Sequence, residues 1–177
     1  MNLPNDLTHS RGINLIRAAK SAHNILTDLI ASLLIKGPLF VIAGSDWLPG
    51  LELARTIHRS TTDAKRVLNG LYTIRTSTCY ELFDSLASRR SNGEAIFVLD
   101  FLYPFYDANI PAPIHFFKLS QCCRELQRLA FYRPVTVIAT DTGVESSDDF
   151  VSVLTSVADR TFSLESELET VKQIILF

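Results

Sequence analysis

A run of five apolar residues that ends in a carboxylate constrains this chain most. The run is Ala95 to Leu99, Asp100 follows it, and the aromatic stretch Phe101 to Phe105 comes next. Because neither side of the alternating pattern is polar, the run predicts a central strand of a parallel sheet with helices on both faces. An Asp at the carboxyl end of such a strand lies where open α/β sheets bind ligands, and in phosphate-binding ATPases it holds magnesium. Asp100 is therefore the first candidate for a functional site.

Strand and helix signals alternate along the chain, which predicts one α/β domain with a mainly parallel sheet between two layers of helices. The other expected strands are Ile13 to Arg17, Leu39 to Ala43, Leu71 to Arg75, Val135 to Thr140, Thr161 to Leu164 and Val171 to Phe177. Helices are expected at Ala22 to Leu34, Leu51 to His58, Thr62 to Leu68, Cys79 to Ser88, Ile114 to Phe131 and Phe150 to Val157. Residues 1–12 are expected to form a flexible leader, and residues 13–177 the single domain.

Composition excludes several classes of protein. With 47% hydrophobic residues and a formal charge of -2, the chain has the make-up of a folded domain without a strongly anionic partner. The three cysteines, of which Cys122 and Cys123 are adjacent, form neither a disulfide framework nor a metal-ligand spacing, and favour buried thiols in a reducing compartment. No apolar run reaches membrane-spanning length. We expect an intracellular protein without a membrane partner, nuclear in a eukaryote.

Three blocks of the chain together resemble the ATPase core of the RecA/RadA recombinase family. Leu39 to Thr78 is similar to the strand, turn and helix that carry the family's catalytic glutamate. Tyr80 to Phe105 is similar to the next helix and the Walker B strand, and Ile114 to Asp141 to the long helix and sensor strand. The resemblance covers about Ile13 to Leu164, in order and with similar spacing. It implies a RecA-like fold and a degenerate, Shu-complex-like recombinase paralogue.

The nucleotide-binding motifs of the family are largely missing. A phosphate loop needs glycines, a lysine and a Ser/Thr, whereas this segment offers Lys20 and Ser21 but no glycine. The turn after the second strand has Ser45 and Asp46 where the resemblance implies a glutamate, and Asp141 replaces the sensor glutamine. Lys20, Ser21 and Asp100 therefore remain as a vestigial nucleotide site, and no cofactor or metal is expected.

Two surfaces are candidates for macromolecular contacts. Aromatic residues dominate the energetics of protein interfaces, which singles out those near the Asp100 strand and the Gly-Pro turn. The partner-contact candidates are Trp47, Tyr103, Phe105 and Tyr106. The candidates for contact with DNA are the basic residues Arg55, Arg59, Lys65, Arg66, Arg89 and Arg90. Solvated helix faces are the alternative interpretation of these basic residues.

The resemblance favours a non-catalytic accessory subunit in homologous recombination and DNA repair. Such a subunit binds another RecA-like paralogue or a recombinase as a heteromer, and single-stranded DNA is a weaker expected partner. An alternative is an ATP-binding RecA-like ATPase with a divergent phosphate loop. A third is a small-molecule α/β enzyme, for which a ligand cleft beside Asp100 would argue.

Overall fold

The computed structural model describes residue 7 and residues 11–90, 93–141 and 147–164, except for the side chains of residues 20 and 147. Within these residues, six parallel strands form one sheet in the order β3-β2-β4-β5-β1-β6. The strands are β1 (Gly12–Ala18), β2 (Leu39–Ala43), β3 (Leu71–Arg75), β4 (Ala95–Leu99), β5 (Pro134–Thr140) and β6 (Arg160–Leu164). The α/β fold is confirmed, and every described strand pairing is parallel.

Helices cover both faces of the sheet. They are α1 (His23–Lys36), α2 (Gly50–Ser60), α3 (Ala64–Asn69), α4 (Cys79–Ala87), α5 (Ala112–Ala130) and α6 (Ser147–Val157). The connections from β1 to β2 and from β2 to β3 run toward one edge and carry α1 to α3, while the later connections run the other way and carry α4 to α6. Because such crossovers are right-handed, opposite directions place the helices on opposite faces. Two core clusters result, one against each group of helices.

The central strands are apolar because both of their faces are covered. All five residues of β2 and all five of β4 are buried, with Phe97 packed toward α1 to α3 and Val98 toward α4 to α6. In the edge strand β3 two residues, Leu71 and Ile74, are half-buried and the other three are exposed. The Asp100 strand therefore occupies the interior of the sheet, as its sequence predicts.

Local sequence signals explain where several helices begin. At α4, Thr78 Oγ1 accepts from the Glu81 backbone N–H at 3.2 Å, and Glu81 accepts from the Ser77 N–H at 2.7 Å. The arrangement is a variant of the capping box, in which Glu81 bonds to the residue before the N-cap Thr78. At α3, where Thr62 and Asp63 have the residue types of a helix cap, Asp63 makes no capping hydrogen bond and pairs with Arg66 instead.

A few boundaries and burial predictions differ from the structure. The helix α6 begins at Ser147, three residues before the prediction. The apolar spacing of α4 and α5 predicts Tyr80 and Phe116 in the core, whereas the two residues are 44% and 39% exposed. The expected strand Val171 to Phe177 lies outside the described residues.

Two described positions within residues 1–12, the predicted flexible leader, belong to the folded domain. Leu7 is only 1% exposed and packs into the core cluster on the α1 to α3 side. Gly12 already belongs to β1. A part of residues 1–12 is therefore integral to the domain, whereas the leader's other residues, apart from Arg11, lie outside the described part of the chain.

Two arginines hold the loop that enters β4 at the amino ends of the strands. The Arg128 guanidinium donates to the carbonyls of Leu86, Ala87 and Arg89 at 3.2 to 3.5 Å. Arg133 is only 1% exposed, donates to the Glu94 carbonyl at 3.3 Å and also donates to the Arg90 carbonyl. Burial lowers the pKa of Arg133. The Arg128 guanidinium satisfies carbonyls at the end of α4, where the helix dipole is negative, and Arg133 satisfies carbonyls of the loop that follows.

Candidate functional site

The connections reverse direction between β2 and β4, and again between β5 and β1. Open α/β sheets bind ligands in the crevices that form at the carboxyl ends of strands at such reversals. Each crevice contains a cavity here. The first, of about 280 Å³, is lined by Ser45, Trp47 and Asp100, among others. The second, of about 310 Å³, is lined by the ends of β1, β5 and β6.

Asp100 joins three strands through its side chain. Ser45, just after β2, donates its hydroxyl to one carboxylate oxygen, and Thr140, the last residue of β5, donates to the other. Asp100 is 8% exposed and has a left-handed backbone with φ of 48°. Asp tolerates that conformation better than most residues do, although it still carries strain. The carboxylate thus serves as a hydrogen-bonding centre for the ends of β2, β4 and β5.

Gly44 allows β2 to approach the backbone of Asp100 closely. A Cβ at position 44 would lie 2.5 Å from the Asp100 carbonyl oxygen and 3.1 Å from Cδ of Pro104. The Gly44 N–H donates to the Leu99 carbonyl at 2.8 Å, which continues the pairing of the two strands. Only glycine fits this approach, and it brings Ser45 to the carboxylate.

Three aromatic rings surround the mouth of the Asp100 cavity. His23, the first residue of α1, stacks on Trp47 with ring centroids 4.1 Å apart and an interplanar angle of 12°. The Trp47 backbone N–H donates to Ser45 Oγ at 3.1 Å, which links the stacked pair to the carboxylate centre. Tyr103 also lines the cavity and is 56% exposed. A second depression, of about 420 Å³, lies against the same stacked pair and also includes Glu52.

The segment after β1 corresponds to the phosphate loop of the resemblance. It forms a short 3₁₀ helix, Lys20–Ala22, preceded by Ala19 in an extended conformation. The Ala19 N–H donates to the Leu164 carbonyl at 3.2 Å, and the Ala22 N–H to the Ala19 carbonyl at 2.9 Å. Ser21 is exposed, and the side chain of Lys20 lies outside the described structure. These two backbone donors, which a phosphate cradle would use, are already paired with carbonyls.

The four partner-contact candidates have different environments. Trp47 and Tyr103 line the Asp100 cavity and keep part of their rings exposed. Phe105 is 1% exposed and packs against Phe101 and other core side chains, so its ring contributes to the core and not to a partner surface. Tyr106 is half-buried against the core and its ring lies 5.8 Å from that of Phe150.

The basic candidates lie on the α2 to α3 side and after α4. Arg55, Arg59 and Lys65 are exposed, and Arg66 pairs with Asp63. Arg89 stacks on the Phe40 ring at 3.7 Å and is half-buried, while the Arg90 side chain is exposed. Because α2 ends and β3 and β4 begin at the amino edge of the sheet, most of these cations lie away from the Asp100 edge.

Sequence reasoning missed Thr140 and His23 as members of this site. Thr140 is the last residue of a buried strand, and the rule that places ligands at the carboxyl ends of parallel strands would have singled it out if applied to every strand. His23 enters through tertiary packing, since it is remote in sequence from Trp47 and Asp100 and no local pattern marks it.

No protein-family model matches this chain, and no curated protein matches it either. Among the described residues, no cluster of three or more His, Cys, Asp or Glu side chains is arranged to hold a metal ion. None of the described helices combines the length and the apolar character that crossing a membrane requires. The function must therefore be argued from the fold and from the Asp100 site.

Proposed function

We propose that this protein is a non-catalytic, RecA-like recombinase paralogue that acts as an accessory subunit in homologous recombination and DNA repair. The parallel α/β sheet is consistent with a RecA-like core. The observation that carries the proposal is the state of Asp100, because both carboxylate oxygens accept hydroxyl groups of the chain itself. The residue that would hold magnesium in an ATPase of this fold serves instead as a structural centre.

The segment after β1 supports the same proposal. A phosphate cradle needs several backbone N–H groups directed at one point, and glycine makes that conformation accessible. Here Ala19 and Ala22 donate their N–H groups to carbonyls, and alanines replace the glycines. A chain that keeps the sheet and lacks the cradle contributes binding surfaces to a complex, not turnover.

Nucleotide titration separates this proposal from the ATP-binding alternative. A fluorescent ATP analogue is titrated with magnesium into the purified chain and into Lys20→Ala. We expect no saturable binding at micromolar concentrations in either protein. Micromolar binding that is lost in Lys20→Ala would support the alternative ATPase instead.

Affinity capture followed by mass spectrometry tests the accessory role. We expect recovery of a recombinase or of a second RecA-like subunit as a stoichiometric partner. Tyr103→Ala should reduce that recovery, and Tyr72→Ala should not, because Tyr72 is similarly exposed at 50% but lies on the edge strand β3. Recovery of chaperones alone would count against the proposal.

Binding to single-stranded DNA is the secondary activity in this proposal. Fluorescence anisotropy with a labelled oligonucleotide should show weak binding that falls steeply as salt rises. Charge reversal at Arg59 and Lys65 should weaken it, whereas Arg124→Glu, on an exposed position of α5, should have little effect. Equal effects of the three reversals would mean that no particular basic surface binds the DNA.

A further inference from the structure

The cavity beside Asp100 combines carboxylates with aromatic rings. Its described lining consists of His23, Ser45, Asp46, Trp47, Asp100, Tyr103 and Thr140. Two of these residues are carboxylates, three carry rings, and neither lysine nor arginine is among them. An anion entering this cavity would meet like charge, while a cation would meet opposite charge and the negative faces of the rings.

We propose that this cavity is a binding site for an organic cation, a guanidinium or alkylammonium group. Trp is the strongest cation–π partner among the side chains, and Tyr follows it. The carboxylates of Asp46 and Asp100 supply the charge, and the ring of Tyr103 lines the cavity together with the stacked His23 and Trp47 rings. This inference uses only the geometry of the cavity and does not depend on the recombinase resemblance.

The size of the cavity favours the end of one side chain or a similarly small molecule. Its volume of about 280 Å³ lies at or below the lower limit of sites that enclose drug-sized ligands. A nucleotide would need more room and would bring phosphates toward two carboxylates. A guanidinium group or an ammonium group on a short alkyl chain meets both requirements.

The rim of the site already carries a guanidinium from the chain itself. Arg75 lies 3.4 Å from the Asp46 carboxylate, with 55% and 95% of the two side chains exposed. Exposed pairs of this kind contribute little stability, so an entering cation can compete with Arg75. Removal of Arg75 should therefore leave Asp46 more available for the ligand.

The site is preorganised by contacts that do not involve a ligand. Ser45 bonds both to the Asp100 carboxylate and to the Trp47 N–H, and the His23 ring fixes the plane of the indole. A ligand would therefore lose little affinity to the ordering of these groups.

Trp47 is the only tryptophan of the chain and lines this cavity, so a ligand that enters it should change the protein's tryptophan fluorescence. Purified protein is titrated with arginine amide blocked at its amino group, and in parallel with the matching citrulline amide, a neutral isostere. We expect a saturable change with the arginine compound and binding at least about tenfold weaker with citrulline, since the charge supplies most of the attraction. N-methylguanidinium and the tripeptide Gly-Arg-Gly form two further arms. A preference for the peptide identifies a protein side chain as the ligand, and a preference for the small cation identifies a free molecule.

Single-residue variants test whether the change in fluorescence depends on the residues of the Asp100 cavity. Tyr103→Ala should weaken binding about fivefold, and Tyr72→Ala should leave it unchanged. Arg75→Gln should strengthen it about twofold, a gain that a purely structural effect would not produce. Asp100→Asn should weaken it further than Tyr103→Ala, provided that thermal unfolding shows the variant to be folded.

Three results would overturn the proposal. One is an equal response to the arginine and citrulline compounds. Another is saturable binding of pyrophosphate without a response to any cation. The third is a cation response that Tyr103→Ala and Arg75→Gln leave unchanged.

Discussion

Asp100 and Arg133 are both buried charged residues, but they lie at opposite edges of the sheet and bond to different kinds of partner. Asp100 follows the carboxyl end of β4, and its carboxylate accepts the side-chain hydroxyls of Ser45 and Thr140. Arg133 precedes β5 at the amino edge and donates to main-chain carbonyls. Asp100 also lines a cavity with exposed aromatic rings. The contacts of Arg133 hold a loop, whereas those of Asp100 hold strand ends beside a cavity that a ligand can enter.

The largest effect is expected from Arg133→Leu. This change removes the donor of two part-buried carbonyls, those of Arg90 and Glu94, and a side chain that is only 1% exposed. Since an unsatisfied buried polar group costs about 1–3 kcal/mol, we expect a loss of about 3 kcal/mol in the free energy of unfolding. Urea denaturation measures it, with Arg124→Leu as the control, expected within about 0.5 kcal/mol of the native protein.

A small effect of Arg133→Leu on the free energy of unfolding would contradict the structural role of Arg133. It would mean that water replaces the guanidinium at the loop carbonyls. The cation titration of the same variant gives a second measurement. Because Arg133 lies at the amino edge of the sheet, its substitution should leave the affinity of the Asp100 cavity unchanged.

The next largest effect is expected from Asp100→Ala. The two hydroxyls lose their charged acceptor, and alanine tolerates the left-handed backbone poorly, so we expect a loss of about 2.5 kcal/mol. Asp100→Asn keeps the shape and an acceptor oxygen, and should lose about half as much. If the two variants are equally unstable by urea denaturation, the charge of the carboxylate and not its shape holds the strand ends.

The sequence predicts the sheet well because burial on both faces leaves a direct mark. In β2 and β4 every residue is apolar, and the predicted strands coincide with the observed ones. The site is harder to predict, since its members come from four separate segments. Asp100 is marked by its place after a buried strand, and Trp47 by its turn, but the stacking of His23 on Trp47 depends on how α1 packs. Phe105 shows the opposite error, because an aromatic residue in a short 3₁₀ helix after a strand can still lie in the core.

Two glycine-to-alanine substitutions test how tightly the carboxyl edge of the sheet is packed. Gly44→Ala places a methyl group 2.5 Å from the Asp100 carbonyl oxygen, so the β2 turn must move. We expect a loss of about 1.5 kcal/mol, typical of overpacking at a close contact. Gly50→Ala is the matched control, since nothing lies within 4 Å of its Cβ and α2 begins there. It should be neutral or stabilise the protein by about 0.5 kcal/mol.

Equal stability of the two glycine variants would show that the Gly44 turn adjusts without cost. The cation titration then gives the sharper measurement, because a displaced Ser45 should weaken binding even where the stability is unchanged. Gly50→Ala should not alter the affinity, since Gly50 does not line the Asp100 cavity.

The smallest effects concern the rates at which the thiols react in the folded protein. Cys79, Cys122 and Cys123 are all buried and free. Burial raises the pKa of all three thiols, that of Cys123 to about 12. The reactive thiolate of Cys123 is then about one part in ten thousand at pH 8. A thiol reagent at that pH should therefore label none of the three until the protein opens, and all three in urea.

Labelling resolved by mass spectrometry can distinguish the two edges of the sheet. Cys79 begins α4 at the carboxyl edge, and Cys123 lies in the second half of α5, nearer the amino edge. Gly44→Ala should accelerate the labelling of Cys79 more than that of Cys123 if the carboxyl edge opens locally, and Arg133→Leu should do the reverse. Equal acceleration at both thiols in both variants would instead mean that the whole domain opens as one unit. The edges would then differ in their bonding partners but not in their local stability, and the distinction between a structural charge and a site charge would depend on the cation titration alone.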